Sequence, residues 1–554
     1  WGGRSGVMRQ HRLFTLVAAF LCLVCCRNGA DAFLSPCALP RTGGASGKGR
    51  LPLRLGAARG VGGPAGKAVV WRCSAASVLE KDIADKVASD AAAGWGGYDR
   101  AERFNTPAAA MRPWNALWNH LASHPAFVDE LWAKQPFKLS SPIPFAVGCF
   151  GLAEIEAYSH TYPAHYAASG VLTKQEGGWM MKGMAQQDAP QGDPTAMQFS
   201  DIQRTLATGT VSLSNAGFFM PPAAAICASL LEAVQLPIWL NIYVTQPGKA
   251  SSAPPHTDKQ DVIAVQAQGA KRWRVFAPPS PNAKMEADPF TRGKGTDILS
   301  LDELEAPLID TVLEPGQVLY IPAGFPHVTD TCNGVTSPDT SVHLTLGVDT
   351  HVWDLSYACM RASALRRAGL SPLLSSTFSL NKLDREDWLL LHAPLPLGFS
   401  AAAVLPPRGA SPADAEALLV QHMASSLGER MITVEPERWA GRDAAALVEE
   451  LSLGEVAERY LTHYRNVMAI ERQVYADAVY QTRPITATYE RAQPHLDALT
   501  NVMQGLGAWS EGKPEPTPPP STKVAGGKEA GKGMGAAKSA KSSKAKAKGS
   551  KGFG

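Results

Sequence analysis

The sequence predicts a mixed α+β protein with a jelly-roll barrel at its centre and helices on either side. Three observations carry this expectation. Short apolar-polar alternations recur between Trp239 and Val348, each bounded by Gly or Pro. Helical spacing of large apolar residues precedes them, with Trp114, Leu117, Trp118 and Leu121 on one face. Helical spacing returns after Asp354, most clearly at Ala415–Leu427 and Arg442–Val467.

The elements follow in order. Phe127, Leu131 and Trp132 repeat the first helical pattern, and Ser141-Pro142 and Pro144 close it. Ala223 to Val234 is an apolar run with helical spacing. At Trp239 the period changes to two. Trp239–Thr245 reads as a strand with Asn241, Tyr243 and Thr245 on one side. Asp261–Ala267, Lys271–Phe276, Gln317–Ile321 and Val342–Val348 read as four more, and Gly269 and Pro315-Gly316 supply turns. The polar stretch Ala277–Asp310 reads as an insertion on the barrel rim.

The 554 residues suffice for several domains, and 45% hydrophobic content allows a sizeable core. With 53 Lys plus Arg against 50 Asp plus Glu, the net charge of +3 selects no nucleic-acid partner. Nine Cys without a CxxC pair in the folded part exclude a disulfide scaffold and a cysteine zinc site. Residues 1–32 resemble a signal peptide: Met8 reads as a start, basic residues follow, and Leu13–Cys26 is apolar but too short to span a membrane. Residues 33–79 hold no Asp or Glu among several Arg and Lys, which is transit-peptide composition and is expected to be disordered. A signal core joined to such a stretch at Phe33 points to a plastid; the alternatives are the secretory pathway or the nucleus. No membrane insertion of the mature chain is expected. Residues 80–200 form an N-terminal helical and mixed region, 201–362 the barrel, and 363–509 a C-terminal helical domain. Residues 510–554 are a Pro-rich linker and a Lys/Ala/Gly-rich tail with Glu529 as its one acid, expected to be disordered. The tail could contact RNA or serve as a solubilising extension.

The chemistry lies between the strands. Pro255-His256-Thr257-Asp258 lies between two expected strands, and a His and an Asp two residues apart can both point inward from a strand end. Pro322-Ala-Gly-Phe-Pro-His327 follows another strand and brings a third ligand from far along the chain. Two imidazoles and one carboxylate on one face leave open positions, the pattern of a non-haem Fe(II) oxygenase. His343 competes as third ligand, and its strand position suits a place beside the site better. A 2-oxo acid needs a cation for its far carboxylate. Lys271 and Arg272 are both candidates, because neighbouring strand residues face opposite ways. Asn241, Tyr243 and Thr245 offer an amide and hydroxyls to the same anion, or pack on the rim.

These motifs resemble the JmjC-domain ribosomal oxygenases, the cupin-like protein hydroxylases. The matching stretch runs from about Asp201 to Val348 and includes Asn241-Ile-Tyr-Val-Thr245, Pro255-His-Thr-Asp258, Gly269-Ala-Lys-Arg-Trp-Arg-Val275, Leu313–His327 and His343-Leu-Thr-Leu346. The resemblance implies a double-stranded β-helix, with His256, Asp258 and His327 as Fe(II) ligands and Lys271 as the anchor of 2-oxoglutarate. Asn241 and Tyr243 would lie beside that anchor. It further implies O₂ as cosubstrate and hydroxylation of a His or Arg side chain of a ribosomal protein, with release of succinate and CO₂. A helical dimerisation region and a winged-helix domain are implied too, and residues 363–507 could supply both, although no short β-wing is evident. The sequence departs from the family at Thr257, in the 277–310 insertion and in its presequence. Rival readings are N-methyl-lysine demethylation, oxidation of RNA or a small molecule, and a cupin binding module without catalysis.

Overall fold

The computed structural model describes residues 65–90, 107–162, 171–175, 178–182, 197–258, 260–278, 301–349, 353, 355–371, 411–480 and 497–498. The rim insertion, apart from its two ends, and the Pro- and Lys-rich tail lie outside these residues. The chain divides into a unit over Trp1–Lys513 and a second over Pro514–Gly554; everything below concerns the first.

Helix α1 (Ala65–Asp90) and helix α2 (Pro107–Ser123) open the described chain, followed by a π-helical turn at Ala126–Leu131. Strand β1 (Phe137–Leu139), helix α3 (Leu152–Ser159), the pair β2 (Val171–Gln175) and β3 (Gly178–Lys182), helix α4 (Phe199–Leu206), strand β4 (Thr210–Leu213) and helix α5 (Pro221–Val234) come next. The central strands are β5 (Ile238–Thr245), β6 (Ala253–His256), β7 (Asp261–Gln268), β8 (Lys271–Val275), β9 (Ile309–Leu313), β10 (Val318–Ile321), β11 (His327–Asp330) and β12 (Ser341–Val348). Helices α6 (Tyr357–Arg367), α7 (Pro412–Val434), α8 (Ala444–Glu450) and α9 (Leu453–Tyr480) complete the fold.

The strands form two antiparallel sheets, ordered β1-β10-β7-β12-β5-β4-β2-β3 and β6-β11-β8-β9. From β5 to β12 the chain crosses between the sheets at every step except β8 to β9. Each crossing needs a tight corner. At the β7–β8 corner Gly269 stands at φ +61°, and a Cβ there would meet the Thr340 carbonyl oxygen at 2.6 Å. The sheets face one another through Val262 and Ala264 of β7, Leu319 and Ile321 of β10, and Trp273, Val275 and Leu313 of the smaller sheet, all buried. A larger core packs α2, α5, α7 and α9 against the outer face of the larger sheet.

The expectation that residues 33–79 lie outside the fold is corrected at its end. Helix α1 runs across residue 79, and Ala75 and Leu79 are buried in the core. The absence of acids hid an amphipathic stretch whose apolar positions Ala75, Leu79, Ile83 and Val87 recur every four residues, as a helix face requires. The helical pattern over Arg442–Val467 resolves into two helices, because Ser452 adopts φ +52° between α8 and α9. No helix among the described residues is long and apolar enough to cross a membrane. Cys149, Cys227, Cys332 and Cys359 are free thiols.

Helix α9 fastens the start of β5. Ile238 N–H donates to a Glu471 carboxylate oxygen at 2.8 Å, and the Tyr475 hydroxyl donates to the Ile238 carbonyl. The Tyr464 hydroxyl donates to the Gln235 carbonyl at 2.8 Å. Burial pushes the Glu471 carboxyl well above its usual range, against the opposing pull of the Ile238 N–H, and the nearby Asp349 pushes it further.

Candidate metal and 2-oxo acid site

Sheet crossing explains how residues far apart in sequence converge. His256 is the last residue of β6, and Asp258 lies in the corner leading to β7. His327 is the first residue of β11, just after the corner from β10. Strands β6 and β11 pair antiparallel with His327 directly opposite His256. Directly opposed residues bring their side chains together, and the two imidazole centroids are 4.2 Å apart. His327 Nε2 lies 3.4 Å from Asp258 Oδ2, and His256 Nε2 lies 3.9 Å from Asp258 Oδ1. Both His are buried and Asp258 is partly exposed.

One donor atom from each residue falls within 4.8 Å of the others. Two ligands at right angles, each about 2.1 Å from an ion, sit roughly 3 Å apart, so the observed spacings need little contraction to enclose one. Two neutral nitrogens and one carboxylate suit a divalent first-row metal. Among the described residues this is the only cluster of His, Cys, Asp or Glu with that geometry. His343 is not part of it.

The cluster opens into a pocket between the sheets. Lys271 settles which basic residue faces it. Lys271 is 1% exposed and donates from Nζ to Thr245 Oγ1 at 2.9 Å, while Arg272 points outward and pairs with Asp310 at 2.7 Å. Trp273 shares the inner face, as strand alternation requires. Thr245 is linked onward to Thr210 at 3.0 Å between their hydroxyl oxygens.

The remaining candidates divide. Tyr243 lines the pocket and stacks on His343 at 5.1 Å, its partner across β5 and β12. Asn241 does not line it; its Oδ1 accepts from Asn215 N–H at 3.0 Å and holds the chain entering the following 3₁₀ turn. His343 lines the pocket beside the triad, and Thr210, Trp273 and Thr345, which the sequence did not single out as contacts, line it too. Thr210-Val-Ser-Leu213 carries the alternation that could have flagged Thr210. Thr345 Oγ1 and Trp273 Nε1 are buried in the pocket wall with no hydrogen-bond partner. Buried polar atoms normally find one, and a bound polar molecule would supply it. The donor set fits a divalent metal, and the cation and hydroxyls of the wall fit a dicarboxylate.

Residues 215–354, which hold His256, Asp258, His327 and Lys271, match the family model of the JmjC domain. Among curated proteins, the bifunctional lysine-specific demethylase and histidyl-hydroxylase NO66 of Drosophila mojavensis is 32% identical over 140 residues, covering 25% of this chain and 14% of that protein. Human ribosomal oxygenase 1 is 37% identical over 106 residues, 19% of this chain and 15% of that protein. The resemblance read from the motifs is borne out by these relatives, of whose length the chain spans less than a fifth. Among solved structures, the Escherichia coli ribosomal oxygenase YcfD aligns at 19% identity and a TM-score of 0.29, over 58% of this chain and 68% of that one.

Proposed function

We propose that this protein is an Fe(II)- and 2-oxoglutarate-dependent oxygenase that hydroxylates a protein side chain, with His or Arg of a ribosomal protein as the first target. The observation that carries this reading is one pocket holding His256, Asp258 and His327 together with buried Lys271. The strand order, β5-β12-β7-β10 against β6-β11-β8-β9, supports a double-stranded β-helix around that pocket.

In this reading His256, Asp258 and His327 hold Fe(II), and Lys271 binds the far carboxylate of 2-oxoglutarate with help from hydroxyls nearby. Held there, iron with 2-oxoglutarate would supply the O₂ activation that hydroxylation of a C–H bond needs, with succinate and CO₂ as by-products. The protein's own part is placement. The Thr210–Thr245–Lys271 chain fixes the ammonium, and Tyr243 stacked on His343, with Trp273 set edge-on to that imidazole, walls the pocket. The His327 Nδ1 contact with the Phe325 carbonyl at 3.1 Å makes Nδ1 the protonated nitrogen and leaves Nε2 for the ion.

The NO66 relative is described as both a histidyl-hydroxylase and a lysine-specific demethylase, so both reactions stand as readings of this pocket. Hydroxylation is tested by incubating the protein with Fe(II), ascorbate, 2-oxoglutarate and organelle ribosomal proteins, then mapping sites that gain one oxygen atom. Such sites, absent with His256→Ala, are the expected result. Loss of a methyl group without oxygen gain would favour demethylation, and no change on any protein would redirect the reading to RNA or small molecules.

Three parts of the proposal rest on sequence alone. Plastid import is supported by the acid-free basic stretch after Phe33 and tested by a fluorescent fusion of residues 1–79. RNA contact through residues 510–554 is tested by salt-dependent binding. Dimerisation through residues 363–509 is tested by sedimentation.

A further inference from the structure

The third ligand leaves the corner 322–326, so its position depends on what holds that corner. Two groups do. The Asp258 carbonyl accepts from Gly324 N–H at 3.0 Å. The Asp261 carboxylate, 3% exposed, accepts from Ala323 N–H at 2.5 Å through Oδ1 and from the Tyr320 hydroxyl at 3.3 Å through Oδ2. The Tyr320 hydroxyl in turn accepts from Ala133 N–H at 2.8 Å. Ala133 stands at φ +57°, an uncommon conformation for a residue with a Cβ. The Tyr320 ring is fixed by Phe127, Trp132 and Phe137, with centroids 5.3 to 5.9 Å away.

Burying a carboxylate is costly, and a well-packed apolar side chain would serve stability alone at lower cost. What a carboxylate offers here is two acceptor oxygens in one plane, aimed at two donors. One donor belongs to the ligand-bearing corner, and the other bridges to the N-terminal segment.

We propose that Asp261 is a positioning residue for the metal centre: through Ala323 it fixes the corner that presents His327, and through Tyr320 it ties that corner to the segment at Ala133. The inference rests on the reading of His256, Asp258 and His327 as ligands and extends it to a residue outside the pocket lining. Asn cannot substitute, because it offers one acceptor and one donor where both partners donate. Tyr320→Phe keeps the carboxylate and removes one donor and the bridge to Ala133.

The test uses the full chain and Co(II) alone, titrated by its ligand-field absorption, with circular dichroism to establish folding. Asp261→Asn is expected to fold, to bind Co(II) about 10- to 100-fold more weakly and to shift the ligand-field bands. Tyr320→Phe should weaken binding less. Wild-type affinity and bands in folded Asp261→Asn would overturn the proposal, provided His327→Ala loses Co(II). If His327→Ala also binds as the wild type does, the ligand reading itself fails. If Asp261→Asn does not fold, Tyr320→Phe decides: weaker binding with shifted bands supports the proposal, and wild-type behaviour overturns it.

Discussion

Lys271 shows how much one buried side chain decides. Its ammonium is held against Thr245 on the inner face of β8, while Arg272, its neighbour, is spent on Asp310 at the surface. Sequence alternation established that only one of the two could face inward but not which one, because both are basic. A charge-assisted hydrogen bond contributes roughly 1.5–3 kcal/mol, so Lys271→Ala should raise the 2-oxoglutarate KM about 10- to 100-fold. Saturating cosubstrate should restore most of kcat. Steady-state kinetics checks this, and an unchanged KM would move the anchor elsewhere. The ligands were legible for a different reason. His256-Thr-Asp258 and the Gly-Phe-Pro-His327 corner are local in sequence and sit at strand ends, where spacing and turn chemistry speak directly. Asn241 misled because alternation places it on the same side as Tyr243, whereas its amide is taken up by the backbone of Asn215. Only the path of a neighbouring loop decides that.

At the scale of elements, the corners matter as much as the strands. Gly269 turns the chain from β7 into β8 and so sets the register that carries Lys271 inward. Gly269→Ala places a Cβ at 2.6 Å from the Thr340 carbonyl oxygen and 2.8 Å from that of Asp339, at φ +61°. Relief requires moving backbone, and the expected loss is about 1–3 kcal/mol, read as a lower urea midpoint at unchanged m. A midpoint equal to the wild type's would show that the corner has slack. The five strands with clear alternation match β5, β7, β8, β10 and β12 to within a residue or two. Strands β1 to β4 escaped notice, and among the central strands so did β6, β9 and β11. Pro254 and Pro255 argue against a strand in β6. β9 straddles the end of a polar stretch, and β11 follows a Pro-Gly corner at once. All three belong to the smaller sheet, where pairing rather than propensity makes the strand.

On the scale of the whole molecule, buried ionisable groups brace helices against one another and against the larger sheet. Arg361 of α6 makes two 2.6 Å contacts with Glu435, just past α7, and both residues are buried. Removing one member leaves an uncompensated buried charge, so Glu435→Ala should cost about 3–5 kcal/mol, a large share of a typical net stability of roughly 5–15 kcal/mol. Chemical denaturation checks this; a loss below about 1 kcal/mol would mean that water reaches Arg361 readily. Glu471 acts in the opposite sense. Its unfolded carboxyl titrates near 4.5 and its folded one well above, so the folded state holds the extra proton over that window. Stability therefore falls as pH rises from about 4.5 towards the raised folded value. Glu471→Gln should flatten this part of the profile, and parallel wild-type and variant melting curves across pH would contradict it. None of this bracing was legible, because a buried acid in a helix such as α9 looks like any solvated one until its neighbours are known.

In the proposed function, one pocket binds Fe(II) and 2-oxoglutarate together. The most direct measurement is an anaerobic titration of the full chain with Fe(II) and 2-oxoglutarate, followed by visible charge-transfer absorption. The account predicts a band that needs both additions, saturates at one equivalent of each, disappears in Asp258→Ala and requires more 2-oxoglutarate in Lys271→Ala. A folded wild-type chain that shows no such band, or an equal band in Asp258→Ala, would contradict it.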